Sequence, residues 1–244
     1  MPLCLAWATD PGLEREENED SVFVSADSGR LDALLLVADG MGGHASGQVA
    51  SRIVVDTVAG EVRSDSGVDP ANLPAVFARA NTAVFEASQA DSENAGMGST
   101  VVMAAIRDGR MALLNVGDSP AYLFRSATVT EIYQNHSWPS EQARAGIIKP
   151  EEVANHPMKH RLARAVGVWD HVKPYTTQLE LEPGDVVLLC SDGVEEAGVT
   201  AEELRVMLEG DDLDAAVKSV IALCRERGAP DNVTVAAVRV EAGS

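Results

Sequence analysis

The chain has 244 residues, of which 45% are hydrophobic and 23% charged, as in soluble globular proteins. Its 38 acidic and 19 basic residues give a formal net charge of −19, which argues against nucleic acid or an anionic membrane as a partner, because both bind basic surfaces. A chain of this length can form one large core, and we predict a single domain over residues 1–244.

The sequence also indicates a cellular compartment. Cys4, Cys190 and Cys224 are widely spaced and form no C-x-x-C pair, which is typical of reduced intracellular thiols rather than of disulfides or a zinc site. The N-terminus has no basic region and reaches a charge at Asp10, unlike a signal peptide. No apolar run approaches the roughly 18 residues of a membrane span. We therefore expect a soluble, cytoplasmic protein.

The chain opens with a predicted strand from Leu3 to Thr9, followed by a polar turn and a run of charged residues. Such a run, here residues 15–20, is usually a solvated loop. This one contains a single arginine, Arg15, among acids and leads directly into a second extended segment at residues 22–24. Both features distinguish it from an ordinary surface loop.

The stretch from Leu34 to His44 is an apolar run that ends in one carboxylate, Asp39, followed by three glycines around a methionine. Five consecutive apolar residues without alternation favour a strand that is covered on both faces. Asp39-Gly40 is compatible with a plain turn, since Asp-Gly is a common turn dipeptide, and equally with a strand end that presents a ligand. A helix is predicted to begin at about Ala45.

The spacing of apolar residues predicts helices over residues 45–58, from Leu73 to about residue 90, and over 213–224. Thr200-x-x-Glu203 is a capping box that opens a short helix to about Leu208. The segment 134–168 has only short helix candidates, and an irregular excursion of this kind is often a functional flap.

Strands after residue 100 repeatedly meet a carboxylate. Asp108-Gly109, between apolar runs on both sides, predicts an ordinary hairpin. The second strand of this hairpin runs to Gly117-Asp118. The strand 186–190 leads to Asp192, and the last strand is entered through Asp231. Together with Asp39, these residues suggest a constellation rather than separate turns.

Carboxylates gathered at one place repel each other, which costs stability unless cations lie between them. Oxygen ligands without Cys or His spacing favour Mg²⁺ or Mn²⁺ over zinc. Two such ions can generate hydroxide from a shared water near neutral pH, which is hydrolase chemistry. An arginine close to such a site suits a bidentate grip on a phosphate.

Six motifs resemble, in order and approximate spacing, those of the bacterial metal-dependent serine/threonine protein phosphatases of type 2C, the PPM family. They are Arg15-x-x-Asn18-Glu19-Asp20, Asp39-Gly40-Met41-Gly42-Gly43-His44, Gly98-Ser99-Thr100, Asn115-Val116-Gly117-Asp118-Ser119, Ser191-Asp192-Gly193 and Asp231-Asn232. The resemblance covers about Ala8 to Val240. It implies an α+β fold, a four-layer α/β/β/α sandwich of two antiparallel β-sheets flanked by helices, as one phosphatase catalytic domain with a binuclear site at one end.

The resemblance also implies roles for individual residues. Arg15 matches the phosphate-binding arginine, and Asn232 is expected to order the loop that carries Asp231. The implied metal ligands are Asp39, which bridges two Mg²⁺ or Mn²⁺ ions, the carbonyl of Gly40, Asp192 and Asp231, with Asp118 for a weaker third ion and Glu19 and Asp20 for metal-bound waters.

The implied reaction is attack by a bridging hydroxide on a phosphoserine or phosphothreonine ester, without a phosphoenzyme. Consistent with that, the sequence contains neither a P-loop nor a G-x-S-x-G motif, and Ser99 is interpreted as structural. The expected partners are phosphorylated proteins, substrates of a serine/threonine kinase, and we expect a monomer. The alternatives are a noncatalytic relative that binds phosphoproteins or cations, and a phosphatase for small metabolites.

The histidines leave further alternatives open. His44 could protonate the leaving alkoxide or merely cap the following helix. His156 and His160 have the spacing of a zinc pair, but Pro157 intervenes and a third soft ligand is missing from the sequence nearby. Pro120, Asn135 and the segment 137–140 depart from the family pattern, which leaves the flap's substrate preference and the third metal open.

Overall fold

Two antiparallel β-sheets lie face to face in the computed structural model, which describes residues 1–26, 30–42, 46–64 and 67–242. One sheet has the spatial order β1 (Leu3–Asp10), β11 (Val233–Val240), β10 (Val186–Cys190), β7 (Ala121–Arg125) and β8 (Thr128–Glu131). The other has the order β2 (Asp20–Ala26), β3 (Ala33–Met41), β5 (Val101–Arg107), β6 (Arg110–Val116) and β9 (Tyr175–Glu180), with β4 (Gly98–Ser99) paired to the end of β3. The helices are α1 (Ser46–Arg63), α2 (Leu73–Ala90), α3 (Trp138–Arg144), α4 (Pro150–Val153), α5 (Gly193–Glu196), α6 (Ala201–Met207) and α7 (Leu213–Glu226).

The sheets and helices form four layers, as predicted. Helices α1 and α2 pack on the outer face of the β3 sheet, and α5, α6 and α7 pack on the outer face of the β10 sheet. A third apolar cluster fills the space between the two sheets. Three apolar layers therefore separate the four layers of secondary structure, and a central strand must be apolar on both sides.

Strand β3 shows why its sequence lacks alternation. Leu34, Leu36 and Ala38 face the helices, whereas Leu35 and Val37 face the other sheet. All five are essentially inaccessible to solvent. The prediction of a strand covered on both faces is confirmed.

The Asp108-Gly109 hairpin is also confirmed. Both residues have positive φ, 50° and 74°, as a type I′ turn between β5 and β6 requires. Strand β8 and helix α5 were not predicted. Strand β8 lies at a sheet edge with mostly exposed side chains and therefore carries little apolar pattern, and α5 is a single turn.

Residues 134–168, called the flap segment below, contain the two short helices α3 and α4. Bridges between Ser137 and Leu162 and between Ser99 and Val166 attach the segment to itself and to the sheet. The buried Asn81 side chain of α2 accepts from the Gly167 N–H at 2.9 Å. The end of the segment is thus tied to the β3 sheet.

The cysteines and the helices were also the subject of predictions from the sequence. The three cysteines are free thiols, two of them buried. Within the described ranges, the helices include none with the length and apolarity needed to cross a membrane.

Candidate metal centre

The carboxylate of Asp39 stands at the end of β3, where hydrogen bonds to the main chain fix its position. The Asp39 N–H donates to the Thr100 hydroxyl at 3.0 Å. Its carbonyl accepts from the Thr100 N–H at 2.8 Å and from the Ser99 hydroxyl at 2.9 Å. Ser99 is fully buried, so its hydroxyl serves the main chain. The hydrogen bonds of Ser99 and Thr100 thus fix the end of β3 that presents Asp39.

Glycines allow helix α1 to begin directly against this strand end. A Cβ atom at Gly40 would lie 2.0 Å from the carbonyl oxygen of Gly47. A Cβ atom at Gly47 would lie 2.7–2.9 Å from the carboxylate atoms of Glu19. Side chains at these positions would push the two elements apart, so glycine is required for close approach. Asp39-Gly40 therefore joins a strand to a helix and is not a hairpin turn.

Asp192 and Asp231 come from the opposite sheet. Asp192 follows β10, and Asp231 precedes β11, its antiparallel neighbour. A Cβ atom at Gly193 would lie 2.0 Å from the Asn232 carbonyl oxygen, so the two loops are in contact. One oxygen from each of Asp192, Asp231 and Glu196 lies within 4.8 Å of the others, a spacing that can hold a metal ion.

Asp118 reaches the same end of the sandwich through the turn after β6. The Gly117 N–H donates to Nδ1 of His136 at 3.2 Å, and the Gly117 carbonyl accepts from the His136 N–H at 3.0 Å. Because Nδ1 accepts, the buried ring is neutral with its proton on Nε2. Burial, assisted by the charges of Arg164 and Arg144, lowers the pKa of His136 to about 3.

The strand ends enclose a cavity of about 500 Å³. The predicted site residues that line it are Arg15, Glu19, Asp39, Gly40, Asp118, Asp192 and Asp231. Asp20, the remaining predicted metal-site residue, is buried beside it and paired in register with Asp39. His44 lies outside the described residues. The residues that the sequence singled out thus converge on one cavity.

The electrostatics of this cavity are unfavourable to the metal-free protein. Burial, followed by repulsion from Asp192, Asp20 and Asp118, raises the pKa of Asp39 well above its ordinary value. Burial likewise raises the pKa of Asp118 to about 8 and that of Asp192 to about 6. The carboxyl groups of Asp39 and Asp192 also share a hydrogen bond. Such shifts mean that the fully ionised cluster is destabilised unless positive charge compensates it.

Asp20 carries a buried oxygen that lacks a partner. Its Oδ2 accepts from the Ser191 hydroxyl at 2.7 Å, whereas its Oδ1 is inaccessible and has no hydrogen-bond partner among the described residues. Burial raises the pKa of Asp20 to about 7. A buried carboxylate oxygen without a donor is costly, and a cation or its bound water would satisfy it.

Arg15 brings a positive charge to the rim of the cavity. Its Nη2 lies 2.6 Å from Oδ2 of Asp231, and the Arg15 side chain is half exposed. Burial raises the pKa of Glu19, and the charge of Arg15 opposes that rise.

Asn232 has a wider structural role than predicted. Its side chain donates to the carbonyls of Pro11 and Glu17, both at 2.9 Å, and accepts from the Glu19 N–H at 2.8 Å. Asn232 therefore fastens the charged N-terminal loop, which carries Arg15, onto the loop that carries Asp231.

Glu196 is a candidate ligand that the sequence analysis missed. It follows Asp192 by one helical turn in α5, so that both side chains lie on one face, and this i, i+4 spacing was the available signal. Its Oε1 lies 2.9 Å from Nδ1 of His160 in the flap segment. His156 instead accepts from the Met158 N–H and packs its ring against Trp138. The two histidines thus have different partners, with a carboxylate beside only one of them.

The donor set fits hard divalent cations. Carboxylates and the Gly40 main chain surround the cavity, and the pKa values of Asp39, Asp118 and Asp192 are raised. One buried carboxylate oxygen, of Asp20, has no donor among the described residues. Mg²⁺ and Mn²⁺ are bound by oxygen ligands of this kind. The residues therefore suit the metal ions that the sequence resemblance implied.

Comparison with known proteins agrees with this fold and site. A family model described as protein phosphatase 2C matches residues 14–234. The chain is 35% identical to the serine/threonine protein phosphatase PstP of Mycobacterium tuberculosis over 236 residues, which cover 96% of this chain and 44% of PstP. It is 31% identical to the serine/threonine phosphatase stp of Listeria monocytogenes, covering 94% of this chain and 92% of that protein.

A solved structure shares the architecture. The catalytic domain of PstP in complex with two manganese ions superposes with a TM-score of 0.85 at 34% identity, covering 98% of this chain and 99% of that one. The fold prediction is thus confirmed, and the chain belongs to the protein phosphatase 2C family. It spans less than half of the length of PstP as a whole.

Proposed function

We propose that this protein is a metal-dependent phosphatase that hydrolyses phosphoserine and phosphothreonine in proteins. The observation that carries the proposal is the convergence of strand-end carboxylates on a cavity that has one arginine, Arg15, at its rim. The pKa values of three of them, Asp39, Asp118 and Asp192, are raised. The names of the relatives support the same activity.

The residues would divide the metal site as follows. Asp39, the Gly40 carbonyl, Asp192 and Asp231 would together hold two ions. Glu19 and Asp20 would hold metal-bound waters, and Asp118 a weaker third ion. Mg²⁺ or Mn²⁺ in this position would supply a water nucleophile near neutral pH and would offset the charge of the phosphoryl group.

The protein's own groups support direct attack by water. The hydroxyl of Thr100, which lines the cavity, is engaged by the Asp39 N–H and by Ser119. The Ser191 hydroxyl is buried and donates to Asp20. Neither hydroxyl is placed to act as a nucleophile, which supports attack by water rather than by a serine or threonine side chain.

Arg15 would bind and orient the phosphate. Its guanidinium group is exposed on one side and bonded to Asp231 through Nη2, which leaves further N–H groups for phosphoryl oxygens. Held in this way, the guanidinium group would stabilise the charge that develops on those oxygens in the transition state. Proteins phosphorylated by a serine/threonine kinase are the proposed substrates, whereas a monomeric state and a cytoplasmic location stay predictions.

The test is hydrolysis of a phosphothreonine peptide and of p-nitrophenyl phosphate with Mn²⁺ or Mg²⁺, before and after chelation. The parent protein should turn over both substrates only with metal, and Asp192→Asn should abolish turnover. Lack of metal-dependent turnover in the parent protein would support the noncatalytic alternative. Fast turnover of sugar or nucleotide phosphates with poor turnover of phosphopeptides would favour a metabolite phosphatase.

A further inference from the structure

The basic residues of this acidic protein are unevenly distributed. The flap segment, residues 134–168, contains five basic and three acidic residues, and the rest of the chain contains 14 basic and 35 acidic residues. The flap segment is therefore a positive region in a chain whose net charge is −19. This region carries two of the residues that line the metal-site cavity, His160 and Leu162.

Elsewhere in the described ranges, most basic side chains contact a carboxylate. Arg79 pairs with Glu61, Arg125 with Asp185 and Arg227 with Glu203. In contrast, Lys149, Lys159, Arg161 and Lys173 have no carboxylate oxygen within 4 Å among the described residues, and all four side chains are exposed. These cations, in and just after the flap segment, are available to an external partner.

Other cations of the flap segment are used internally. Arg144 and Arg164 both lie 2.9 Å from the same oxygen of Glu141. Arg164 also reaches the Lys173 carbonyl. These contacts hold both arginines against Glu141, so the cations of the segment without a carboxylate partner among the described residues are the exposed Lys149, Lys159 and Arg161.

Two of the unpaired cations are sequence neighbours of His160, which lines the metal-site cavity. Lys159 and Arg161 flank His160, whose ring is fixed on Glu196 at 2.9 Å. Lys159 also lines a second cavity of about 270 Å³, which shares Asp118, His160, Asp192 and Glu196 with the first. Lys159 therefore lies within reach of a chain that enters the site, and Arg161 follows it two residues later.

A phosphorylated peptide is negative and is repelled by a protein of charge −19, except where the local potential is positive. We propose that the flap segment binds acidic residues that flank the phosphorylated residue, with Lys159 and Arg161 as the contacting side chains. This inference rests on the proposed phosphatase function. It assigns a substrate class, phosphopeptides with Asp or Glu beside the phosphorylated residue.

The experiment compares two phosphothreonine peptides that differ only in flanking Glu or Gln residues. The proteins are the parent chain, the double variant Lys159→Gln/Arg161→Gln and a control, Arg63→Gln/Lys218→Gln, which removes the same charge from α1 and α7. The parent and the control should prefer the Glu peptide in kcat/KM by roughly five- to tenfold at low salt, and added salt should reduce this preference. The flap variant should show less than about a twofold preference.

Hydrolysis of p-nitrophenyl phosphate separates this inference from the proposed function, because that substrate has no flanking residues. All three proteins should hydrolyse it equally with Mn²⁺. Equal kcat/KM for both peptides in the parent, or the same preference in the flap variant and the control, would overturn the inference while leaving the phosphatase function intact. Absence of metal-dependent p-nitrophenyl phosphate hydrolysis in the parent would refute the function and the inference together.

Discussion

Replacing one site carboxylate should stabilise the metal-free protein. Burial and neighbouring acids raise the pKa of Asp192 to about 6, so its ionised form is disfavoured in the folded state near neutral pH. A shift of this size corresponds to about 3 kcal/mol, and partial solvent exposure of the residue reduces it to roughly 1–2 kcal/mol. For Asp192→Asn we therefore expect the melting temperature of the metal-free protein to rise by roughly 2–8 °C near pH 7.5.

Metal should reverse that order. Ions that bind only the folded state stabilise it by mass action, and Asp192→Asn removes a ligand. The parent protein should thus be the less stable of the two after chelation and the more stable of the two with Mn²⁺. Melting curves followed by circular dichroism, with and without Mn²⁺, measure both orders in one experiment.

The pH dependence of stability tests the same carboxylates independently. A carboxylate whose pKa is raised in the folded state contributes stability below its unfolded pKa, and this contribution is lost as the pH rises through the folded value. For Asp192, Asp20 and Asp118 the folded values are about 6, 7 and 8. The contribution of these groups to the stability of the metal-free parent should therefore decrease between about pH 4 and pH 8, and the stabilisation by Mn²⁺ should grow over the same range.

The control is Asp108→Asn, which removes a charge from an exposed turn whose φ of 50° asparagine tolerates. It should leave the melting temperature and the effect of Mn²⁺ almost unchanged. If metal-free Asp192→Asn melts no higher than the parent, or if it gains as much stability from Mn²⁺ as the parent does, then the carboxylate cluster neither destabilises the metal-free protein nor binds the ion through Asp192.

Three further substitutions test other parts of the site. Gly40→Ala in strand β3 places a methyl group 2.0 Å from the Gly47 carbonyl oxygen and should lower the unfolding free energy in urea by roughly 2–4 kcal/mol. Gly60→Ala in helix α1, where the added Cβ meets open space, should be neutral or stabilising. Equal effects of the two substitutions would show that β3 and α1 do not need glycine at residue 40 for their close approach. Arg15→Lys keeps the positive charge but loses the planar guanidinium group, so kcat/KM for a phosphopeptide should fall by roughly 10- to 100-fold while the Mn²⁺ requirement stays unchanged. A kcat/KM equal to that of the parent would show that Arg15 does not bind the phosphate. His136 is buried and neutral, with a pKa of about 3 in the folded protein. The unfolding free energy should therefore fall as the pH drops below about 6.5, by at most about 1.4 kcal/mol per pH unit. Urea titrations with Mn²⁺ present should show this slope in the parent protein and a smaller slope in His136→Asn.

Much of the fold was predictable because local pattern and tertiary position agree. The unbroken apolar run of β3 indicates burial on both faces, and the Asp108-Gly109 dipeptide indicates the turn that it forms. Strand β8 gave no such signal, since an edge strand with exposed side chains has no buried face to impose alternation. The flap segment was predictable as irregular but not in its contacts.

The site was predictable at its strand ends and less so in the contacts between distant segments. Asp39 could be proposed because an apolar strand delivers it, and Glu196 was missed because it lies in a helix of a single turn. The bonds of Asn232 to Pro11 and Glu17 join residues more than 200 positions apart, which no local pattern encodes. Such contacts arise only when the two loops are packed.

Antiparallel pairing explains which carboxylates meet. The end of one strand lies beside the start of its neighbour, so Asp39 at the end of β3 pairs with Asp20 at the start of β2, and Asp192 after β10 meets Asp231 before β11. Each sheet thus contributes an acidic pair, and face-to-face packing of the sheets brings Asp39, Asp192 and Asp231 to one cavity with Asp20 buried beside it.

The opposite directions of neighbouring strands also explain why Asp108 is not a ligand, although it too stands in an Asp-Gly pair at a strand end. Strand β5 begins beside Asp39, through Thr100, and runs away from the site, so its turn lies at the opposite end, where the Asp108 N–H donates to Asp32. Strand β6 returns and delivers Asp118 to the cavity. The direction in which the chain crosses the sheet therefore decides whether an aspartate at a strand end can become a ligand.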